Sequence, residues 1–229
     1  MNHVQINLKD LNLRFRKEQA EEILNESINN LFLKKIVYVC SFGAESAVVL
    51  HLISNISKDF PIIFLNTGKL FNETLTYKHE LVKLFNLRNI FEIHPDEMDL
   101  TKNDANNVLW KYDQNKCCEI RKVSPLKKAL KPYTAWISGR KGYHSSNRRE
   151  KRVLELENNK YVLSPLINWS QNKIVKYFER FNIPQHPLFK KGYLSIGCKN
   201  CTVISSEYNS VRSGRWSNTS KTECGIHKN

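Results

Sequence analysis

The sequence predicts an α/β fold: a mostly parallel sheet with helices on both faces. Short runs rich in Val, Ile, Phe and Trp recur at residues 35–40, 60–65, 89–94 and 135–138. Segments with apolar residues at helical spacing separate them. Turn residues follow the runs, as in Ser41-Phe42-Gly43, Asn66-Thr67-Gly68 and Gly139. Strands and helices that alternate at this pace form parallel sheets, because each parallel connection needs a crossover element.

The elements follow in order. Leu11, Leu13, Ala20, Ile23, Leu24, Ile28 and Leu31 lie among Glu and Lys at near-helical spacing. They predict one leading amphipathic helix over 11–32. The first strand is 35–40, followed by a helix over 44–56. The second strand, 60–65, precedes a helix from about 71 to 85. The third strand is 89–94. Residues 96–131 read as helical with breaks, and the fourth strand is 135–138. A polar loop spans 139–149. Residues 165–170 lead into a helix over 171–181. After Ile183-Pro184 little regular structure is expected. Residues 1–204 thus read as a single α/β domain, and 205–229 as a polar, mobile C-terminal tail.

Composition narrows the function. The 229 residues include 36 Lys and Arg against 22 Asp and Glu, a net charge of +14. That balance favours anionic ligands. The basic residues are spread along the chain and form no block, so nucleic acid is not an expected partner. No apolar stretch is long enough to cross a membrane, and residues 1–19 lack the apolar core of a signal peptide. The expected location is the cytoplasm, where clustered cysteines do metal or redox work and do not close structural bridges.

Five of the six cysteines are arranged suggestively. Cys117 and Cys118 are adjacent, Cys198 and Cys201 form a C-x-x-C, and Cys224 stands alone in Glu223-Cys224-Gly225-Ile226-His227. Adjacent cysteines rarely bond to each other, since the ring strains the peptide. Four thiolates from two separated pairs suit zinc or an iron–sulfur cluster. A vicinal pair is unusual for zinc, whose ligand pairs are spaced by two to four residues, and this tilts the reading toward iron and sulfur. Cations near Cys224 would lower its pKa and make it nucleophilic.

Ligands of open parallel sheets bind beyond the carboxyl ends of the strands. Three loops fall there. Ser41-Phe42-Gly43-Ala44-Glu45-Ser46 offers a glycine turn, hydroxyls and a following helix N-terminus, a plausible phosphate cradle. It is not a Walker loop. The others are Asn66-Thr67-Gly68-Lys69 and Gly139-Arg140-Lys141, the latter with two cations for an anion.

Together SFGAES, LNTGKLFNET, KCCEIRKVSPL, WISGRKG, PLINWS, HPLFKKGYLSIGCKNCT, SGRW and ECGIH, in that order, resemble one family. It is the assimilatory, thioredoxin-dependent adenylyl-sulfate reductases, the iron–sulfur branch of the phosphoadenylyl-sulfate reductase family. The resemblance runs from about residue 36 to 228. It implies a fold related to the PP-loop ATP pyrophosphatases and a [4Fe–4S] cluster on Cys117, Cys118, Cys198 and Cys201. It implies Cys224 as the catalytic nucleophile. It places Lys122 near both cluster and substrate, and Arg212, Arg215 and His227 at the phosphosulfate. Ser41, Gly43 and Thr67 fall in the nucleotide loops, and Arg140 supplies charge beside them.

The implied reaction reduces adenylyl sulfate to sulfite and AMP through an S-sulfocysteine that thioredoxin releases. Asn66 stands where the family commonly has Asp, Ser46 also departs from its pattern, and the tandem arginine after Gly139 is absent. These changes bear on nucleotide preference more than on reaction type. The same reaction on the 3′-phosphorylated substrate is the nearest alternative. A PP-loop sulfur transferase acting on tRNA is more distant, since Phe42 and Glu45 break its S-G-G-x-D-S loop. A zinc-bearing nucleic-acid-binding module would leave ECGIH unexplained. Assembly into a homo-oligomer is neither required nor excluded by the sequence.

Overall fold

A computed structural model of the chain describes residues 6–206, 210–216, 219, 221 and 223–227. The chain opens with α1 (Leu8–Phe15) and α2 (Ala20–Glu26), which runs into a π turn at Ser27–Leu31. The single helix expected over 11–32 is therefore two. The break is local chemistry: the Glu22 carboxylate accepts the Gln19 N–H at 2.8 Å, so a new helix starts at that capping box.

Then follow β1 (Ile36–Cys40), α3 (Ser46–Ile56), β2 (Ile62–Leu65), α4 (Asn72–Leu84) and β3 (Ile90–Ile93), close to expectation. The broken helical stretch resolves into α5 (Glu97–Asp104), α6 (Leu109–Tyr112), α7 (Gln114–Cys118), a π turn at Glu119–Val123, and α8 (Ser124–Ala129). Next come β4 (Ala135–Ser138) and the short α9 (Ser146–Arg149). The hairpin of β5 (Leu154–Glu157) and β6 (Lys160–Leu163) was not expected. The last helix, α10, is Gln171–Arg180.

The sheet order is β3-β2-β1-β4-β6-β5. All neighbours pair in parallel except the edge strand β5, which is antiparallel to β6. Asn158 and Asn159 turn that hairpin, both with positive φ, 49° and 60°. Asn tolerates this region better than most residues, and two such positions make the tight turn that suits the strand twist. The buried Asn12 of α1 shields the edge. Its amide donates to the Leu154 carbonyl at 2.8 Å and accepts the Leu154 N–H at 3.0 Å. It thereby occupies backbone groups that would otherwise recruit another strand.

Alternate residues of each strand face opposite layers. Ile36, Tyr38 and Cys40 of β1 join the larger core with α1, α2, α3, α4 and α10. Val37 joins Ile63, Trp136 and Val162 in a second core under α8. Helices thus cover both faces. Among the described residues no helix is long and apolar enough to cross a membrane.

The order reverses direction between β1 and β4, since the chain moves from β1 to β2 and β3 on one side and returns to β4 on the other. That switch point leaves a crevice at the carboxyl ends of β1 and β4. The described tail residues lie across it. Val211 and Trp216 are buried, and Ile226 packs on the second core. The rest of the expected tail lies outside the described residues.

Candidate active site at the switch point

A cavity of about 210 Å³ opens at this crevice. Its walls come from the loops after β1 and β4, from Lys122, from the 194–197 loop and from the tail. The loop after β1 is tightly wound. Phe42 holds a left-handed φ of 47°, rare for a bulky residue, and its fully buried ring sits edge-on to Phe64 at 5.3 Å. The Gly43 N–H lies 3.3 Å from the Ser41 hydroxyl, and Ser46 donates to the Gly43 carbonyl at 2.7 Å. A Cβ at Gly43 would approach the Ile196 carbonyl to 3.1 Å, so glycine lets two loops close here. Ser41 and Gly43 both line the cavity, as expected.

Cys224 lines the same cavity, beside Lys122, Arg212, Arg215 and His227. The tail reaches it through ordered contacts. Arg215 pairs with Thr202 in a short antiparallel bridge, and the Trp216 N–H donates to the Cys201 carbonyl at 3.2 Å. The Arg215 guanidinium stacks on Trp216 at 4.3 Å. His227 stacks on Trp136, centroids 5.1 Å apart, with Nε2 3.4 Å from the Ser138 hydroxyl. Burial, then Arg140 and Arg148, hold His227 well below the usual histidine range. It is a neutral imidazole and adds no charge. Its Nδ1, the Arg215 Nε and the Trp216 Nε1 are buried without a hydrogen-bond partner among the described residues. Buried polar atoms are seldom left so, and all three residues line the cavity.

Four thiols meet in a second, smaller cavity behind the first. Cys117, Cys118, Cys198 and Cys201 line it together with Lys69, Arg121, Lys122, Arg215 and Trp216. The C-x-x-C loop is pinned to the loop after β2: Leu70 bridges Cys198, and the Lys199 N–H donates to the Lys69 carbonyl at 2.8 Å. The buried Arg121 ties the vicinal pair to the same loop. It donates to Asp104 at 2.6 and 3.2 Å, to the Thr67 carbonyl at 2.9 Å and to Asn107 at 2.9 Å. Burial and the neighbouring Cys118 push the Cys117 thiol up to about 11. Burial also raises Cys198, but Lys122, the Thr67 hydroxyl and Arg215 outweigh it and leave that thiol lowered. Lys122 joins the two cavities. Burial lowers its ammonium, yet Cys198, Cys224 and Cys118 overcome this and lift its pKa.

Among the described residues no three His, Cys, Asp or Glu side chains converge on one metal-ion position. Four cysteines lining one cavity fit a metal group held by four thiolates. The donor set, all sulfur, and the adjacent cations fit the same group.

Thr67 and Arg140 stand apart from the other predicted residues. Thr67 does not line the nucleotide cavity: it is buried beside the thiols, its hydroxyl 3.3 Å from the Cys198 sulfur. Arg140 reaches the cavity wall, but its guanidinium is already spent on Glu157 at 3.0 Å, Glu155 at 3.3 Å and Ser164 at 3.3 Å. Those acids lie on β5, the strand the sequence reading missed. Lys141 is likewise paired with Glu45 at 2.7 Å. Residues that sequence reasoning passed over are Arg148 and Glu223, whose ion pair of 2.6 Å seats the tail beside Cys224. An Arg on a short loop helix carries no motif, and only the fold brings it across 75 residues.

This architecture is a doubly wound α/β fold, a mostly parallel sheet with a cavity at its switch point. The chain superposes on an FMN adenylyltransferase from Candida glabrata bound to FMN and an ATP analogue with a TM-score of 0.59 at 14% identity, covering 96% of this chain and 76% of that one. With a phosphoadenylyl-sulfate reductase from Candida auris in a phosphate complex the TM-score is 0.74 at 23% identity, covering 89% and 99%. The chain belongs to the phosphoadenosine phosphosulfate reductase domain family, whose pattern matches residues 35–204. An adenosine 5′-phosphosulfate reductase from Chelativorans sp. is 38% identical over 224 residues, 97% of this chain and 91% of that protein.

Proposed function

We propose that the chain reduces adenylyl sulfate to sulfite and AMP, as a step of sulfate assimilation. Membership of the family and the name of the Chelativorans relative support the reaction class. The observation that carries the mechanism is Cys224 sharing one cavity with Lys122 and Arg215. Arg140, Lys141 and Arg148 are each neutralised by a carboxylate, whereas Lys122 and Arg215 have none within ion-pair distance among the described residues. Two cations without a carboxylate partner suit the two charges of a phosphosulfate.

The Cys224 thiolate attacks the sulfur of adenylyl sulfate, and the S–O bond to AMP breaks. Cys224 becomes an S-sulfocysteine and AMP leaves. Lys122 and Arg215 offset the repulsion between thiolate and phosphosulfate, in a cavity that the tail screens from water. The neutral His227 positions without adding charge. A thiolate of reduced thioredoxin then attacks the Cys224 sulfur and expels sulfite, leaving a mixed disulfide. The second thioredoxin thiolate closes the thioredoxin disulfide and returns Cys224 as a thiolate. The dithiol supplies both electrons. This exchange requires the tail to leave its seat, parting Glu223 from Arg148 and lifting Ile226 and His227 from their packing.

Cys117, Cys118, Cys198 and Cys201 would hold a [4Fe–4S] cluster. When bound, it ties α7 to the C-x-x-C loop and sets the field around Lys122. A dithiol reductant and reduced thiols at the site support a cytoplasmic location. The test is sulfite release from adenylyl sulfate and from its 3′-phosphorylated form, with reduced thioredoxin. We expect the higher kcat/KM for adenylyl sulfate. A higher value for the 3′-phosphorylated nucleotide reverses the substrate assignment, and no sulfite from either rejects the reaction.

A further inference from the structure

A chain of polar contacts runs from the loop after β1 to the residue before the nucleophile. Glu45, in the Ser41–Ser46 turn, accepts from the Tyr143 hydroxyl at 2.6 Å and lies 2.9 Å from His144 Nε2. His144 Nδ1 lies 3.4 Å from Nη1 of Arg148. Arg148 then grips Glu223 in a two-pronged pair, Nε at 2.6 Å and Nη2 at 2.9 Å. Arg212 reaches the same carboxylate at 3.3 Å. Cys224 is the next residue.

The contacts fix one tautomer. Glu45 is an acceptor, so Nε2 of His144 carries the proton. The lone pair of Nδ1 is then free to accept from Arg148, whose guanidinium only donates. A neutral His144 satisfies both neighbours at once, and an imidazolium would oppose Arg148. Burial, ahead of the other influences, lowers His144 to about 4, in agreement with that assignment. The side chains of Glu45, His144, Arg148 and Glu223 are only 12%, 10%, 11% and 13% exposed, so each bond is made in a site largely screened from water.

We propose that Glu45 and His144 are positioning residues of the reaction, which set the seat of Cys224 through Arg148 and Glu223. The inference rests on Cys224 being the attacking thiolate. Arg148 sits on the four-residue α9 and carries its charge at the end of a long, rotatable side chain. The acceptor on His144 orients the guanidinium so that its Nε and Nη2 edge meets Glu223. Removing His144 or Glu45 takes away the contact that orients Arg148 toward Glu223, and Arg212 at 3.3 Å remains the weaker hold on that carboxylate. A displacement of the nucleophile by an ångström slows attack greatly, because reacting atoms must lie in line and in contact.

The test uses full-length His144→Phe, His144→Gln, Glu45→Gln and Glu223→Gln proteins with two readouts. One is the rate at which iodoacetamide alkylates Cys224 without substrate, read on the C-terminal peptide by mass spectrometry. The other is the single-turnover rate of sulfonate transfer to Cys224 from adenylyl sulfate. We expect His144→Phe and Glu223→Gln each to speed alkylation and slow sulfonate transfer by about tenfold or more. Thioredoxin should release a preformed adduct no more slowly than in the wild type. His144→Gln keeps a donor for Glu45 and an acceptor for Arg148, and should stay within about threefold of wild type. The double variant His144→Phe/Glu223→Gln should be no worse than the worse single one, since both cut one path.

Wild-type rates in His144→Phe and Glu223→Gln, equal damage from Phe and Gln at 144, or additive effects in the double variant overturn the proposal. If His144→Phe does not fold, as judged by circular dichroism, Glu45→Gln and Glu223→Gln carry the same comparison. A wild type that forms no adduct on Cys224 rejects the proposed function, while the alkylation rates still decide whether the relay seats the tail.

Discussion

Gly197 leaves the space that the guanidinium of Arg215 fills. A Cβ at residue 197 would lie 2.3 Å from Nη2 of Arg215 and 2.5 Å from its central carbon. Arg215 has its place because one loop residue has no side chain. The same guanidinium lies over Trp216 and lines both the substrate and the thiol cavity.

Gly197→Ala therefore displaces Arg215 without removing it. The expected outcome is a fall in kcat/KM for adenylyl sulfate of about tenfold or more, the worth of a charged hydrogen bond. Steady-state kinetics with thioredoxin in excess reads this. The double variant Gly197→Ala/Arg215→Ala should be no worse than Arg215→Ala alone, and additive losses would mean that Gly197 acts elsewhere.

The four cysteines predict the metal content. Anaerobically purified protein should be brown and carry about four irons and four sulfides per chain. Cys198→Ser should lose them, whereas Cys224→Ser should keep them. Arg121→Met should also lower the iron content, and the melting temperature by about 6 °C or more, because it strands Asp104 as a buried charge worth about 3 kcal/mol. One zinc per chain with no visible absorption would contradict the cluster.

Stability should fall as the pH drops from about 6.5 toward 4. The cause is histidines held neutral in the fold, His144 and His186 with His227 and His51 shifted in the same direction. His186 is fully buried; its Nδ1 accepts the Leu188 N–H at 3.2 Å and its Nε2 lies 3.0 Å from the Thr74 hydroxyl. Burial lowers both His186 and His144 to about 4. An unfolded histidine titrates near 6.5, so between these values the unfolded chain binds more protons and gains on the folded one. The loss is on the order of 3 kcal/mol for each group once the pH is below both values. Urea midpoints measured across this range check it. His186→Asn should flatten the slope, and a slope unchanged in that variant would place the titration elsewhere.

Much of the fold was legible because its signals are local. Four of the five parallel strands, β1 to β4, are short and mostly apolar runs, and the turn after β1 is spelled by Ser41 to Gly43. The hairpin of β5 and β6 was missed although Asn158-Asn159 marks its turn. Glu155 and Glu157 interrupt the apolar pattern of that strand, and in the fold they serve Arg140. With the hairpin unseen, the partners of Arg140 were unseen too. Thr67 was misplaced by a single residue of turn geometry: its loop does end β2 at the site, but the side chain points to Cys198. The thiols and the tail motif were legible as residue patterns. The contacts that join them, Arg148 with Glu223 and Lys122 between two cavities, depend on tertiary placement and leave no trace in spacing.

The central claim is that Cys224 becomes covalently sulfonated. Wild-type protein incubated with adenylyl sulfate, without thioredoxin, should release AMP and gain one sulfonate on the C-terminal peptide at Cys224. Reduced thioredoxin should then remove it, with sulfite appearing in step. The added mass on another residue, or sulfite production that proceeds without any adduct on Cys224, would contradict the account.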